Sequence, residues 1–195
     1  MNMKEVLLVL TDRWADWEAA YAISDIRMSG LYEVKTIALD RTPKESIGGI
    51  RAEIDYTIAE YRLSGDTAML ILPGGFTWDT GDYQAIADLV REAGEKGIPV
   101  AAICGATMFL ARNGFLDHRR HSGDDPQWFA DLPGYKGLDR FVPEQAVTDQ
   151  GFITANETAA LEFSREIARA LRLHSDEEIR ERYDYMKNGM FRQKE

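Results

Sequence analysis

After Glu5, the run EVLLVL at residues 5–10 is apolar without interruption. Such a run suits a strand buried on both faces, because a half-exposed strand would alternate apolar and polar residues. The next segment, DWEAAYAISDIRMS at 16–29, has helical spacing and meets a stop at Gly30. The pattern returns in YEVKTIAL at 32–39, in AMLIL at 68–72 with a helix near 82–96, and in IPVAAI at 98–103 with a helix near 105–113. This alternation predicts an α/β fold, a parallel sheet covered by helices on both faces, with ligands beyond the carboxyl ends of the strands. Further on, QAVTDQGFITA reads as a hairpin turning at Asp149, Gln150 and Gly151, and ETAALEFSREIARAL as an amphipathic helix.

The 195 residues suffice for one domain with a continuous core. Residues 1–173 are read as that domain and 174–195 as a helical extension packed on it. The extension opens with Ser175 and Glu178 in capping-box spacing, and Ile179, Tyr183 and Met186 then share one helical face. A single cysteine excludes an intrachain disulfide, and with only three scattered histidines no structural zinc site is expected. The net charge of -10 argues against nucleic acid and anionic membrane as partners and leaves small molecules or proteins. With no apolar run near the length of a membrane span and no leader-like start, a cytoplasmic protein is expected.

Cys104 stands where the apolar strand IPVAAI turns into a helix. A sharp strand-to-helix turn presents its side chain at the top of the sheet, and the helix dipole is expected to lower the thiol pKa. The small neighbours Gly105 and Ala106 suit such a turn, although a lone cysteine out of context is as often a buried hydrophobe. In ILPGGFTWD, Gly74 and Gly75 end another strand, and the amides of Gly75 and Gly105 are a candidate oxyanion pocket. The doublet alone is also an ordinary βα turn. It lacks the Lys-Ser/Thr ending of a phosphate loop, and TDRWADWE after the first strand lacks a dinucleotide glycine fingerprint, so no ATP or NAD cofactor is expected. Glu18, in the first turn of the first helix, is undecided on local spacing alone.

Together, VLLVLTDRWADWEAAYAISDIRMSG, ILPGG, IPVAAICGATMFLARNGFLDHRR and GFITA with EFSREIARAL resemble the ThiJ/PfpI family of the class I glutamine amidotransferase-like superfamily. The resemblance spans nearly the whole domain. It implies a flavodoxin-like three-layer sandwich with a mostly parallel sheet and a nucleophile elbow, and a homodimer. In site terms it implies a reactive Cys104, a Glu18 hydrogen-bonded to it, and an oxyanion pocket at Gly75 and Gly105. No metal or organic cofactor is implied. A Glu18 that helps a thiolate is expected to be protonated, because two adjacent anions would repel.

Many relatives place a histidine after the elbow helix, where this chain reads LDHRRHSGDDPQWF. Asp124 or Gly123 fills that slot, and since Asp125 with Pro126 reads as a helix cap, Asp124 is the expected occupant, as a base or a polar wall. His121 falls on the opposite side of its strand. Asn156 and Glu157 stand where many relatives carry small residues, and Phe76, Trp78 and Trp128 are candidate apolar walls. Gly74, Phe76, Trp128, Asn156 and Glu157 make up the expected substrate-binding set. The expected function is cysteine-dependent chemistry on a small carbonyl or amide compound, hydrolase-like or glyoxalase/deglycase-like. The alternative is a redox sensor or chaperone-like stress protein that uses oxidation of the same cysteine.

Overall fold

A computed structural model describes residues 3–190. In it β1 (Lys4–Val9), α1 (Asp16–Ser29) and β2 (Tyr32–Ala38) are followed by short strands β3 (Lys44–Glu45), β4 (Arg51–Ala52) and β5 (Tyr56–Thr57). Then come β6 (Thr67–Leu72), α2 (Gln84–Glu95), β7 (Val100–Ile103), α3 (Gly105–Arg112) and α4 (Pro126–Ala130). The chain closes with β8 (Ala146–Asp149), β9 (Phe152–Ala155), α5 (Ala160–Leu171) and α6 (Asp176–Asn188). The main sheet has the order β5-β2-β1-β6-β7-β9-β8. Its pairs are parallel except β8 with β9, the hairpin that turns at Gln150 and Gly151.

The uninterrupted apolar runs have a direct cause. Along β1, Val6 and Leu8 face a core shared with Ala19, Ala22 and Ile26 of α1 and Phe163 and Ile167 of α5. Leu7 and Val9 face the opposite core, with Ile86, Leu89 and Val90 of α2 and Leu110 of α3. Both faces are covered, so neither set of alternate residues is polar. β6 and β7 divide their residues between the two cores in the same way.

Helix α6 begins at the expected capping box, with Ser175 and Glu178 bonded reciprocally. Ile179 is buried in the α1/α5 core. Farther along, Tyr183 Oη and Lys187 Nζ donate to Glu162 Oε1 at 2.6 and 2.9 Å, and Arg182 pairs with Asp25 of α1. The β3–β4 hairpin was not read from the sequence. Its strands are two residues each, too short for periodicity to register, and it is tied to the loop after β1 by Trp14, whose carbonyl accepts from Ile47 N–H at 2.8 Å. No described helix is long and apolar enough to cross a membrane.

Candidate active site

β1, β6 and β7 lie side by side, so the loops at their carboxyl ends meet. The chain leaves β7 at Cys104, whose backbone has φ 54 and ψ -132, a region that a residue with a Cβ rarely enters. Such strain costs about 1–3 kcal/mol and persists only where the surroundings impose it. Here Cys104 N–H donates to Ala155 O at 3.0 Å, and Cys104 O accepts from Thr107 N at 2.8 Å and Thr107 Oγ1 at 2.7 Å. The backbone is pinned on both sides, and the half-buried thiol is held at the top of the sheet.

The end of β6 approaches just as closely. A Cβ added to Gly74 would stand 2.7 Å from Cys104 Cβ, 2.7 Å from Glu18 Oε2 and 3.0 Å from Cys104 Sγ, so only glycine fits between thiol and carboxyl. Gly75 has φ 152, and a Cβ there would lie 2.6 Å from Arg13 O. Ala15 N–H donates to Gly74 O and Phe76 N–H to Arg13 O, and Gly75 N–H has no backbone acceptor among the described residues. Gly105 comes so near that its Cβ would lie 3.2 Å from Gly75 O, and it heads α3, where the first amides have no intrahelical acceptor. The two amides expected to form an oxyanion pocket therefore belong to touching segments.

Glu18 is fully buried. Its Oε2 accepts from Gly74 N–H at 2.6 Å, while Oε1 has no hydrogen-bond partner among the described residues. Burial is the main cause that raises its pKa from 4.5 to about 7, the bond from Gly74 and then the Cys104 thiol opposing it and the charges of Asp124 and Glu157 adding to it. Asp124 Oδ1 accepts from Glu157 N–H at 2.7 Å, and burial raises the Asp124 pKa as well. Sγ of Cys104 and carboxylate oxygens of Asp124 and Glu157 lie within 4.8 Å of one another. The thiol does not have the lowered pKa expected from the helix dipole. Burial, then the charges of Glu18 and Asp124, push it up, and the Gly105 amide opposes them only in part.

Cys104, Glu18, Asp124, Glu157, Gly74, Gly75 and Gly105 thus come together. Phe76 is exposed next to Gly75, with the Arg13 guanidinium 4.9 Å above its ring, and Trp128 is exposed on α4. The Asn156 side chain is engaged by its own loop and by the residue before β8: Oδ1 accepts from Thr158 N and Oγ1, and Nδ2 donates to Gln145 Oε1. Trp78 is no pocket wall but a buried support behind Gly105, donating from Nε1 to Pro73 O at 2.9 Å. His121 is buried, with Nδ1 2.7 Å from Arg119 O and Nε2 2.6 Å from Tyr135 Oη, so both ring nitrogens are occupied away from the sulfur. Sequence reasoning missed Thr107 and Arg13. A hydroxyl three residues after the elbow was a signal for the first; nothing in the sequence marked the second, whose role depends on φ 56.

A mostly parallel sheet with a strained cysteine between strand and helix defines a class of elbow-cysteine α/β proteins. The chain belongs to the DJ-1/PfpI family, whose model matches residues 4–170. It is 36% identical over 184 residues to the Bacillus subtilis protein named uncharacterized protease YdeA, covering 94% of this chain and 91% of that one. It is 32% identical over 192 residues to a second B. subtilis protein, uncharacterized protease YoaZ, covering 94% and 90%. The crystal structure of a ThiJ/PfpI family protein from Bacillus anthracis matches with a TM-score of 0.89 at 31% identity, over 96% of this chain and 92% of that one.

Proposed function

We propose that this chain is a cysteine-nucleophile enzyme acting on a small amide or carbonyl compound, with hydrolysis as the reaction. One observation carries the reading: Cys104 is held at φ 54 with its thiol against two carboxyl groups, next to two glycine amides that suit an oxyanion. The names of the two B. subtilis relatives point the same way.

Because burial and charge push the thiol up, the resting sulfur keeps its proton. As Sγ bonds to the substrate carbonyl carbon, that proton passes to the Asp124 carboxylate, and the new oxyanion takes hydrogen bonds from Gly75 and Gly105 N–H. Asp124 then protonates the leaving amine as the C–N bond breaks, which leaves a thioester. Water adds to the thioester carbon and gives its proton to Asp124, and the C–S bond breaks. The proton returns to sulfur. Glu18, near half-protonated at neutral pH, limits the negative charge beside the sulfur.

The test is a panel of small amides, peptides and α-oxoaldehydes. Turnover of at least one compound, abolished in Cys104→Ser, supports the reading; none by the metal-free protein counts against it. A second reading draws on both nitrogens of His121 being engaged elsewhere: the thiol serves as an oxidation sensor without turnover. Intact mass after mild peroxide separates the two, since a sensor gains two oxygens at Cys104 selectively and shows no turnover.

A further inference from the structure

Thr107, the third residue of α3, is fully buried, and its hydroxyl and amide turn back onto one acceptor. Oγ1 donates to Cys104 O at 2.7 Å, and N–H donates to the same oxygen at 2.8 Å. The side chain at a helix N-cap ordinarily accepts from an amide of the first turn, but the Cys104 side chain makes no capping bond. The doubly held carbonyl does that work instead. The strained residue at φ 54 is thereby fixed without engaging its sulfur.

The same hydroxyl meets the segment that carries Asp124. A Cβ added to Gly123 would stand 2.9 Å from Thr107 Oγ1 and would strike the Phe129 ring, so this backbone runs directly past the hydroxyl. Just before it, Ser122 N–H donates to Thr154 Oγ1 of β9 at 2.8 Å. Just after it, Asp124 Oδ1 accepts from Glu157 N–H at 2.7 Å. Cys104 N–H is itself bonded to Ala155 O, at the end of β9. Nucleophile and carboxyl thus hang from β9 and the turn that follows it, with the Thr107 hydroxyl between their backbones.

We propose that Thr107 is a positioning residue that sets the separation of Cys104 and Asp124, through the Cys104 carbonyl on one side and Gly123 on the other. In the hydrolysis proposed above the proton passes between those two groups, and a misplacement of about 1 Å costs about 10²-fold in rate. As a contribution to turnover the role rests on that reading; as the geometry that holds the thiol among its carboxyls it does not.

The test compares Thr107→Val, Thr107→Ala and Thr107→Ser with wild type. Valine and alanine remove the hydroxyl, and serine keeps it. The first readout is the pH dependence of Cys104 alkylation. Glu18, Asp124 and Glu157 face the thiol, and the charges of the first two add to the burial that holds its proton on. A sulfur released from its carbonyl anchor moves away from them, so the half-point is expected to fall by about half a unit or more in the valine and alanine variants. Serine is expected to stay within about 0.2 unit of wild type. The second readout is turnover of a compound from the panel, where valine and alanine are expected to lower kcat about 10- to 10²-fold with little change in KM, and serine to restore it. A half-point unmoved by valine and alanine, or moved as far by serine, overturns the proposal. Shifted half-points with kcat within about threefold of wild type overturn its catalytic part. Alkylation needs no substrate, so failure of the positioning role and failure of the enzymatic reading are distinguishable.

Discussion

Gly74 N–H donates to Glu18 Oε2 at 2.6 Å, tying the end of β6 to the carboxyl beside Cys104. This bond fixes the carboxyl without neutralising the cost of burying its charge. Raised from 4.5 to about 7, Glu18 keeps its proton in the folded state over a range where the unfolded chain has lost it. The stability it contributes is fully present below about pH 4.5 and is lost as pH rises through about 7. Glu18→Gln keeps an acceptor for Gly74 and removes the titration. Wild type and variant are expected to be similar near pH 4.5, with the variant gaining relative stability up to about 3 kcal/mol by about pH 8. Urea unfolding at several pH values checks this, and a stability difference that does not change with pH contradicts it.

Cys104→Gly and Cys104→Ala both remove the sulfur, but only glycine relieves φ 54. The glycine variant is expected to be more stable than the alanine variant by about 1 kcal/mol, despite its greater freedom when unfolded. Thermal or urea midpoints decide it; an alanine variant equal or superior in stability shows that the elbow stores no strain.

Gly75→Ala meets both φ 152 and Arg13 O at 2.6 Å from the new Cβ. The expected loss is about 2 kcal/mol or more, because backbone rather than a flexible side chain blocks the methyl. A urea midpoint equivalent to less than about 0.5 kcal/mol of change would mean that the loop yields freely.

Asp124→Asn preserves an oxygen for Glu157 N–H and removes the proton acceptor. On a substrate found in the panel, kcat is expected to fall about 10²- to 10⁴-fold with little change in KM. A kcat within about threefold of wild type would assign the proton to another group.

Much of this was legible because it rests on periodicity. Two-sided burial writes itself into EVLLVL and IPVAAI, and a strand running into CGA or PGG marks the loops that meet at the top of the sheet. The Asp125–Pro126 cap was also legible, because capping is local: Asp125 accepts from Gln127 N–H as its position implies. The thiol's proton affinity was not legible. It depends on how deeply Cys104 itself is buried and on how close the charges of Glu18 and Asp124 come to it from segments far apart in the chain, neither of which is written in the residues next to the elbow. Trp78 was misplaced for the same reason, since an apolar ring near a glycine turn reads alike whether it lines a pocket or supports the elbow from behind.

The central claim is that Cys104, Glu18 and Asp124 share their protons as one unit. Its most direct test is the pH dependence of Cys104 alkylation in folded, chelator-treated protein, measured for wild type and for Glu18→Gln. The account predicts a wild-type half-point above the free-cysteine value of about 8.5, shifted down by about one unit or more in the variant. A half-point at or below that value, unmoved by Glu18→Gln, would contradict it.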